Sequence, residues 1–229
     1  MNNNYIENLM RLDIELSEIQ REQFKLYYKM LIEWNNKMNL TSITDEREVY
    51  SKHFIDSLWL SKVVKLQNQS LLDVGSGAGF PSIPLKIVFP NLDITIIDTL
   101  KKRITFLENL TEKLGISVNL IHGRIEDHKI KSNYDIVTAR AVAPLDILVE
   151  LCMPFVNIEG LFLPMKGSSV MEEVTLASYA IKMLGGKLDS IFNYEYDGYQ
   201  RSIPIIKKLN NVSNQYPRSY AKIKKNPLR

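Results

Sequence analysis

Hydrophobic residues in the first part of the chain recur at the spacing of an α-helix. Five large apolar side chains are separated by three or four residues: Phe24, Tyr27, Leu31, Trp34 and Met38. This spacing places them on one face of a long helix. Ser17 followed by Gln20 is a capping-box pattern, which predicts that this helix begins just after Ser17. A further helix is predicted to begin at Asp45, so we expect residues 1–65 to form an N-terminal helical extension.

After Ser70 the pattern changes to short β-prone runs that alternate with helical segments. The predicted strands are 71–74, 94–98, 118–122, 134–139 and 160–165. A helix that ends at Gly115 is predicted between the second and third strands. Strands that alternate with helices form βαβ units, which place parallel strands in one sheet with helices on both faces.

The last two predicted strands, 187–196 and 201–209, are joined by Asp197 and Gly198, which form a hairpin turn signal. We therefore expect an α/β fold with a Rossmann-like, mostly parallel sheet and an antiparallel last strand. The predicted main domain covers residues 66–215 and is followed by a basic C-terminal tail at residues 216–229.

The composition is that of a globular protein. Of 229 residues, 45% are hydrophobic and 24% are charged, which excludes a disordered, collagen-like or disulfide-framework protein. No apolar run approaches the roughly 18 residues that a membrane-spanning helix needs, and no signal peptide is evident. Cys152, the single cysteine, lies in an apolar run and is interpreted as a core residue. We expect a cytoplasmic protein with no membrane partner.

The net charge of +3 conceals an uneven distribution. Seven of the 29 Lys and Arg residues lie in residues 207–229, which contain no Asp or Glu, so the rest carries 22 basic and 26 acidic residues. One hypothesis is that the tail binds RNA phosphates and lies away from the glycine-rich loop at residues 75–81. The cations that would bind are Arg218, Lys222, Lys224, Lys225 and Arg229. The alternative is that the tail docks on the body through Tyr216, Tyr220 and Ile223.

The strongest local motif is the run 71–81, in which an apolar strand leads into a glycine-rich loop. Such a loop presents backbone N–H groups to a ligand at the carboxyl ends of the strands. The spacing of Gly75, Gly77 and Gly79 is G-x-G-x-G, which differs from the G-x-G-x-x-G typical of dinucleotide binding. Asp98 ends the second strand, where a ribose hydroxyl pair would find a carboxylate acceptor. Together these features favour S-adenosylmethionine over NAD as the cofactor.

Polar residues also follow the third, fourth and fifth strands. The segment 123–127 contains Ile125 and Glu126, and we expect it to contact adenine through a backbone amide and a carboxylate. Arg140 ends the fourth strand and provides a fixed cation with five donors. The alternative, which is compatible with that role, is an Arg that pairs with a carboxylate such as Glu126. Lys166 ends the fifth strand and places a second cation on the same rim, where it is expected to contact phosphate or base.

Two other kinds of site are disfavoured. His53, Asp56 and Ser57 suggest a hydrolase triad, but they share one helix and the chain has no G-x-S-x-G motif. A buried polar cluster is therefore the favoured interpretation. The three histidines have no metal-ligand spacing and there is no C-x-x-C motif, so no metal is expected.

With these motifs the sequence resembles the RsmG (GidB) family of bacterial 16S ribosomal RNA methyltransferases. The matching segments cover most of the chain: 34–35, 39–43, 53–57, 73–81, 83–85, 98–103, 124–126, 139–141 and 166–167. The resemblance implies a class I S-adenosylmethionine-dependent methyltransferase fold. It also implies methyl transfer to N7 of one guanine, with 16S ribosomal RNA or the small ribosomal subunit as the substrate.

The resemblance further implies roles for individual residues. The implied cofactor contacts are Gly75, Phe80, Ile125, Glu126 and Arg140, to which the strand and loop analysis adds Gly77 and Asp98. The implied RNA contacts are Arg124, Arg140, Lys166 and Arg201. Arg140 and Lys166 are the candidate catalytic residues. Because guanine N7 carries a lone pair and no proton, the reaction needs no general base and depends on positioning.

Two other functions stay open at this point. A small-molecule methyltransferase would have an apolar lid over the site and no need for a basic tail. A non-catalytic RNA-binding assembly factor with the same fold would bind the cofactor too weakly to measure.

Overall fold

A seven-stranded sheet with helices on both faces forms the centre of the computed structural model, which describes residues 3–128 and 134–229. The strands are β1 Ser70–Val74, β2 Asp93–Asp98, β3 Asn119–His122, β4 Tyr134–Arg140, β5 Val156–Met165, β6 Gly186–Tyr196 and β7 Tyr199–Lys208. Their order in the sheet is β3-β2-β1-β4-β5-β7-β6. The first five strands pair in parallel, and β7 lies antiparallel between β5 and β6. The predicted mostly parallel sheet with an antiparallel last strand is therefore confirmed.

The turn predicted at Asp197 and Gly198 joins β6 to β7. Both residues have positive φ, 49° and 76°, as a two-residue turn requires if its twist is to match that of the strands. The predicted start of β5 at residue 160 differs from the observed start at Val156. The reason is that residues 157–160 are exposed or half-buried and lack the apolar pattern of a buried strand.

Three of the helices in the described ranges begin or end where the sequence predicts, after Ser17, after Asp45 and before Gly115. The α-helices in these ranges are α1 Asn3–Arg11, α2 Glu18–Met38, α3 Glu46–Val49, α4 Asp56–Leu58, α5 Ser82–Val88, α6 Lys101–Leu114, α7 Leu145–Cys152, α8 Val170–Met183 and α9 Tyr220–Lys225. A π-helical turn, Tyr50–Ile55, connects α3 to α4. Ser17 and Gln20 form the predicted reciprocal capping box of α2, and the Asp45 carboxylate accepts the Glu48 N–H at the start of α3.

Helices α1 to α6 cover one face of the sheet, while α7, α8 and α9 cover the other. Phe24, Tyr27 and Leu31 of the predicted α2 stripe are fully buried against the first face, whereas the other two residues of the stripe are half-buried. Each fully buried side chain of this size stabilises the fold by roughly 1.5–3 kcal/mol. Cys152 is buried against the second face, as predicted. The N-terminal extension therefore shares one hydrophobic core with the sheet.

Two kinds of feature are absent from residues 3–128 and 134–229. No helix in these ranges is both long and apolar enough to cross a membrane. No group of three or more His, Cys, Asp or Glu residues in them could hold a metal ion.

The C-terminal tail lies against α7. Ile223 of α9 is fully buried, and Tyr216 and Tyr220 pack against the same hydrophobic cluster. The alternative in which the tail docks on the body is therefore confirmed.

Two cations of the tail form ion pairs with buried carboxylates of α7. Arg218 binds Glu150 at 2.6 Å, and Arg229 binds Asp146 at 2.8 Å. Neither carboxylate side chain is more than 2% exposed. Their guanidinium groups neutralise buried charges of the fold, and phosphate binding by these two arginines stays a prediction. The three lysines of α9 are exposed.

The glycines that follow α6 and α8 differ in the space around them. Gly115 and Gly185 have positive φ, 65° and 69°, but only a Cβ on Gly185 would be crowded, at 2.3 Å from the Asn210 carbonyl oxygen. We expect Gly115→Ala to lower the free energy of unfolding by about 1–2 kcal/mol through backbone strain. We expect Gly185→Ala to lower it by about 3 kcal/mol or more, because the backbone at Asn210 must also move. Urea unfolding followed by circular dichroism measures both losses, and equal losses would contradict the crowding.

Candidate active site

The glycine-rich loop, residues 75–81, follows β1 and is supported by the N-terminal extension. The Tyr27 hydroxyl of α2 donates a 2.5 Å hydrogen bond to the Ala78 carbonyl. The Phe80 ring stacks against Tyr27 and His53 at centroid distances of 5.4 and 4.5 Å. Phe80 is only 4% exposed and lines neither cavity described below. Its side chain therefore holds the loop in place and leaves only its backbone for a ligand.

A first cavity of about 290 Å³ opens at the carboxyl ends of β1, β2 and β3. Its lining includes Gly75, Asp98, Ile125 and Glu126, so the structure brings four of the predicted cofactor residues together. Gly75 has a φ of 75°, and a Cβ there would lie 2.8 Å from a Val142 methyl group. We call this space the acidic cavity, after the carboxylates of Asp98 and Glu126.

The Asp98 carboxylate is held by three donors. It accepts hydrogen bonds from the backbone N–H groups of Gly77 at 3.1 Å and Leu100 at 2.9 Å, and it pairs with Arg103 at 3.2 Å. Asp98 ends β2 as predicted, and the Gly77 amide contacts this carboxylate without lining the cavity. The sequence interpretation missed Arg103, although the basic run 101–103 directly after Asp98 is a signal for such a pair.

Glu126 is held by Arg124 and by the C-terminal tail. The Tyr220 backbone N–H donates to Glu126 Oε1 at 3.2 Å, and Arg124 Nη1 lies 3.6 Å from the same oxygen. The alternative in which Arg140 pairs with a carboxylate is confirmed, but its partner is Asp56 and not Glu126. The expectation that the tail lies away from the glycine-rich loop is wrong, because Tyr220 and Gly75 line the same cavity.

A second cavity of about 400 Å³ lies at the carboxyl ends of β4 and β5. Its lining carries four cationic side chains, those of Lys52, Arg140, Lys166 and Arg201. We call it the cationic cavity. The structure thus brings three of the predicted RNA residues together, whereas Arg124 lines the acidic cavity instead.

The two cavities meet at Ala141, which lines both. Ala141 has a φ of 56°, a left-handed conformation that is uncommon for a residue with a side chain. Since it directly follows Arg140, the end of β4 forms the boundary between the two cavities.

The Arg140 guanidinium is fixed by a buried ion pair. Its Nη1 donates to Asp56 Oδ2 at 2.8 Å, and the group lies 5.0 Å from the Phe80 ring centroid. The Tyr194 hydroxyl donates to the other Asp56 oxygen at 2.9 Å. Burial and the Asp56 charge raise the pKa of Tyr194 well above its ordinary value, so its hydroxyl stays protonated and able to donate.

The buried polar cluster predicted at His53, Asp56 and Ser57 is confirmed. The Ser57 hydroxyl donates to the His53 carbonyl at 2.6 Å and makes no triad with the imidazole. Burial and the Arg140 charge lower the pKa of His53 to about 3, so the imidazole is neutral near pH 7. Thr41 Oγ1 lies 2.9 Å from His53 Nε2 and helps to fix the ring.

Lys166 is also held in place by neighbouring groups. Its Nζ donates to the Ala143 carbonyl at 2.9 Å and pairs with Glu173 of α8 at 2.6 Å. Met165 pairs with Arg140 between β5 and β4. Lys166 and Arg140 therefore lie on the same rim of the sheet, as predicted.

The chain is similar to known proteins over nearly its whole length. The family model described as rRNA small subunit methyltransferase G (GidB) matches residues 20–203. A Staphylococcus epidermidis protein named ribosomal RNA small subunit methyltransferase G is 49% identical, over 97% of this chain and 96% of its own length. A Bacillus subtilis protein of the same name is 46% identical, over 98% of this chain and 97% of its own length.

A solved structure shares the fold. It is described as a SAM dependent methyltransferase from Aquifex aeolicus, with 17% sequence identity and a TM-score of 0.54, over 71% of this chain and 93% of that chain. At this identity the likeness concerns the fold alone. The predicted class I methyltransferase sheet is thereby confirmed.

Asp73 lies fully buried at the end of β1, beneath the loop. Burial raises its pKa to about 7, although the Ser82 hydroxyl donates to Oδ2 at 2.7 Å and acts in the opposite direction. Oδ1 has no hydrogen-bond partner among the residues that the structure describes. In the unfolded chain the pKa of an Asp carboxyl is roughly 3.9. The stabilising contribution of this group is therefore full below that value and is lost as the pH rises through about 7.

We expect Asp73→Asn to remove this pH dependence. The free energy of unfolding of the variant minus that of the parent should rise between about pH 4 and about pH 8, because Asn has no charge to bury. Urea unfolding at a series of pH values measures the difference. Asp189→Asn, at an exposed position of β6, is the control and should give a difference that stays constant. A constant difference for Asp73→Asn would show that its carboxyl titrates normally.

Proposed function

The chain belongs to the rRNA small subunit methyltransferase G (GidB) family, as its motifs predict, and on that premise we propose that it methylates N7 of one guanine in 16S ribosomal RNA. The observation that carries this proposal is the pair of adjoining cavities that share Ala141. One combines a glycine-rich loop with two carboxylates, and the other presents four cations. A nucleoside cofactor and a polyanionic acceptor would therefore meet at the end of β4.

The acidic cavity fits S-adenosylmethionine as the methyl donor. The proposed cofactor contacts are Gly75, Gly77, Phe80, Asp98, Ile125, Glu126 and Arg140. The two carboxylates offer acceptors for hydroxyl and amino groups. The volume of about 290 Å³ is at the lower end of the range for small-ligand sites. When bound, S-adenosylmethionine supplies a methyl group that is activated by a positively charged sulfur.

The cationic cavity is proposed to receive the target guanine and its flanking phosphates. Arg140 directly precedes Ala141 in the sequence, and Lys166 lines the same cavity, which supports their role as the catalytic residues. Arg201 lines the same cavity, and the side chain of Arg124, beside the acidic cavity, is 55% exposed, which supports the proposal that both bind RNA. An Arg that donates to guanine O6 or to a phosphate leaves N7 free, whereas the bidentate contact to O6 and N7 would occupy the attacking nitrogen.

None of the described residues that line the cationic cavity is free to act as a general base. The ring nitrogens of His53 contact Thr41 and Arg140. The carboxylates of Asp56 and Glu173 are held in ion pairs. This arrangement suits guanine N7, because its lone pair attacks without loss of a proton. The protein then acts by holding the acceptor in line with the donor.

We propose that the enzyme works in the cytoplasm on 16S ribosomal RNA or on the small ribosomal subunit. In this proposal residues 66–215 form the catalytic domain, residues 1–65 support its cofactor loop, and residues 216–229 form the tail. The rival function as a small-molecule methyltransferase predicts an apolar lid over the site. The cationic cavity has four cations against the two carboxylates of Asp56 and Glu173, and this excess of positive charge favours RNA over such a substrate.

Incubation with labelled S-adenosylmethionine and small ribosomal subunits tests the proposal directly. Subunits from cells that lack this enzyme should gain label at one guanine of 16S ribosomal RNA, which chemical cleavage at 7-methylguanosine then locates. Naked 16S ribosomal RNA in a parallel reaction distinguishes the two forms of the substrate. If the protein binds the cofactor but labels neither form of the RNA, a small-molecule acceptor is favoured. If it neither binds the cofactor nor labels RNA, an assembly factor is favoured.

Arg140→Ala and Lys166→Ala should each slow methyl transfer by about a hundredfold or more, because each removes a fixed cation at the junction of the cavities. Calorimetry should show weaker cofactor binding for Arg140→Ala and unchanged binding for Lys166→Ala. The matched control is Lys113→Ala, at an exposed position near the end of α6. If both variants methylate RNA as fast as Lys113→Ala does, the proposed roles of Arg140 and Lys166 are contradicted.

A further inference from the structure

The tail is held on the body by interactions that are costly to break. Arg218 donates three hydrogen bonds to the Glu150 carboxylate, one from its backbone N–H and two from its side chain, at 3.1, 2.7 and 2.6 Å. Glu150 is fully buried in α7. Undocking the tail would leave this charge without its partner in an apolar environment, which strongly favours the docked arrangement.

The docked tail reaches the acidic cavity at one residue. Tyr220 begins α9 and lines this cavity beside Leu151 of α7 and Val142. Its backbone N–H donates to Glu126 Oε1 at 3.2 Å. Ile223, one turn later, is fully buried and fixes the helix that carries Tyr220. The tail therefore supplies both a wall of the cavity and a donor to one of its carboxylates.

We propose that Tyr220 is a positioning residue for the methyl donor, a role that rests on the proposed function of the acidic cavity. Its ring excludes water from one side of the cavity, and its backbone N–H orients the Glu126 carboxylate toward the ligand. Aromatic rings contribute large contact areas in such sites. The effect of the tail on catalysis is then exerted through cofactor affinity, even though the tail lies far along the chain from the glycine-rich loop.

Three substitutions at one position separate the ring from the amide. Tyr220→Phe keeps both, Tyr220→Ala removes the ring, and Tyr220→Pro removes the ring and the N–H. Proline is compatible with the backbone here, because position 220 is the first of α9. Ser219 also has a ψ of 143°, which suits a residue before proline. The matched control is Tyr179→Ala, which removes a tyrosine ring at an exposed position of α8.

Calorimetry with S-adenosylhomocysteine and the full-length protein measures the effect without RNA. We expect Tyr220→Ala to raise the Kd about tenfold or more, and Tyr220→Phe to stay within about twofold of the parent. Tyr220→Pro should raise the Kd a further threefold or so beyond Tyr220→Ala, because Glu126 then loses a donor. Tyr179→Ala should bind S-adenosylhomocysteine as the parent does.

Kinetics and thermal melting distinguish positioning from a merely structural role. In methylation assays Tyr220→Ala should raise the KM for S-adenosylmethionine, while kcat and the KM for RNA stay unchanged. A lowered melting temperature with a parental Kd, measured well below that temperature, would overturn the inference.

The same experiments separate this inference from the function on which it rests. Binding that depends on Tyr220, in a protein that methylates no ribosomal RNA, would support the role of Tyr220 and contradict the proposed function. If the Tyr220 variants methylate ribosomal RNA normally and bind S-adenosylhomocysteine as the parent does, the proposed function is supported and the role of Tyr220 is contradicted.

Discussion

The buried ion pair between Arg140 and Asp56 is the interaction on which the candidate site depends. It joins the end of β4 to α4 of the N-terminal extension, and Tyr194 of β6 binds the second Asp56 oxygen. Three distant parts of the chain are thereby fixed around one guanidinium group. Removing one partner would leave the other charge buried, at a cost of about 3–5 kcal/mol. A pair of this kind adds little net stability, so its value here is the fixed position of Arg140 between two cavities.

The same principle extends around the rim of the sheet. Lys166 is held by Glu173, and Arg103 by Asp98, in each case with the partner on a different element. Charged groups that are fixed before a ligand arrives need little reorganisation when it binds, which is the main source of electrostatic catalysis. The neutral state of His53 fits this arrangement. A positive charge on its ring, in addition to that of Arg140, would oppose binding of a cationic sulfonium cofactor. The extension is therefore part of the site and also part of the core.

The features predicted from sequence are those that local chemistry determines. The capping box at Ser17, the turn at Gly198 and the glycine-rich loop each depend on residues within a few positions of one another, and all three are present. The ion pairs were beyond such reasoning, because Asp56 and Arg140 lie 84 residues apart and meet only when the fold closes. The periodicity of a sequence predicts which face of a helix or strand carries a side chain, but it does not predict which distant residue that side chain contacts.

The tail shows how composition alone can mislead. The seven cations of residues 207–229, which comprise the end of β7 and the tail, suggest a polyanionic partner, yet four of the seven have partners within the described structure. Lys207 pairs with Glu159, the fully buried Lys208 donates to the Met153 carbonyl, and Arg218 and Arg229 pair with carboxylates of α7. The informative signal lies elsewhere in the sequence, since α7 carries two acids in an otherwise apolar run that is buried on every side. Buried carboxylates require cations, and a segment rich in Lys and Arg without acids of its own is the natural source. An uneven charge distribution is therefore evidence for an external partner only after the buried charges of the body have been matched.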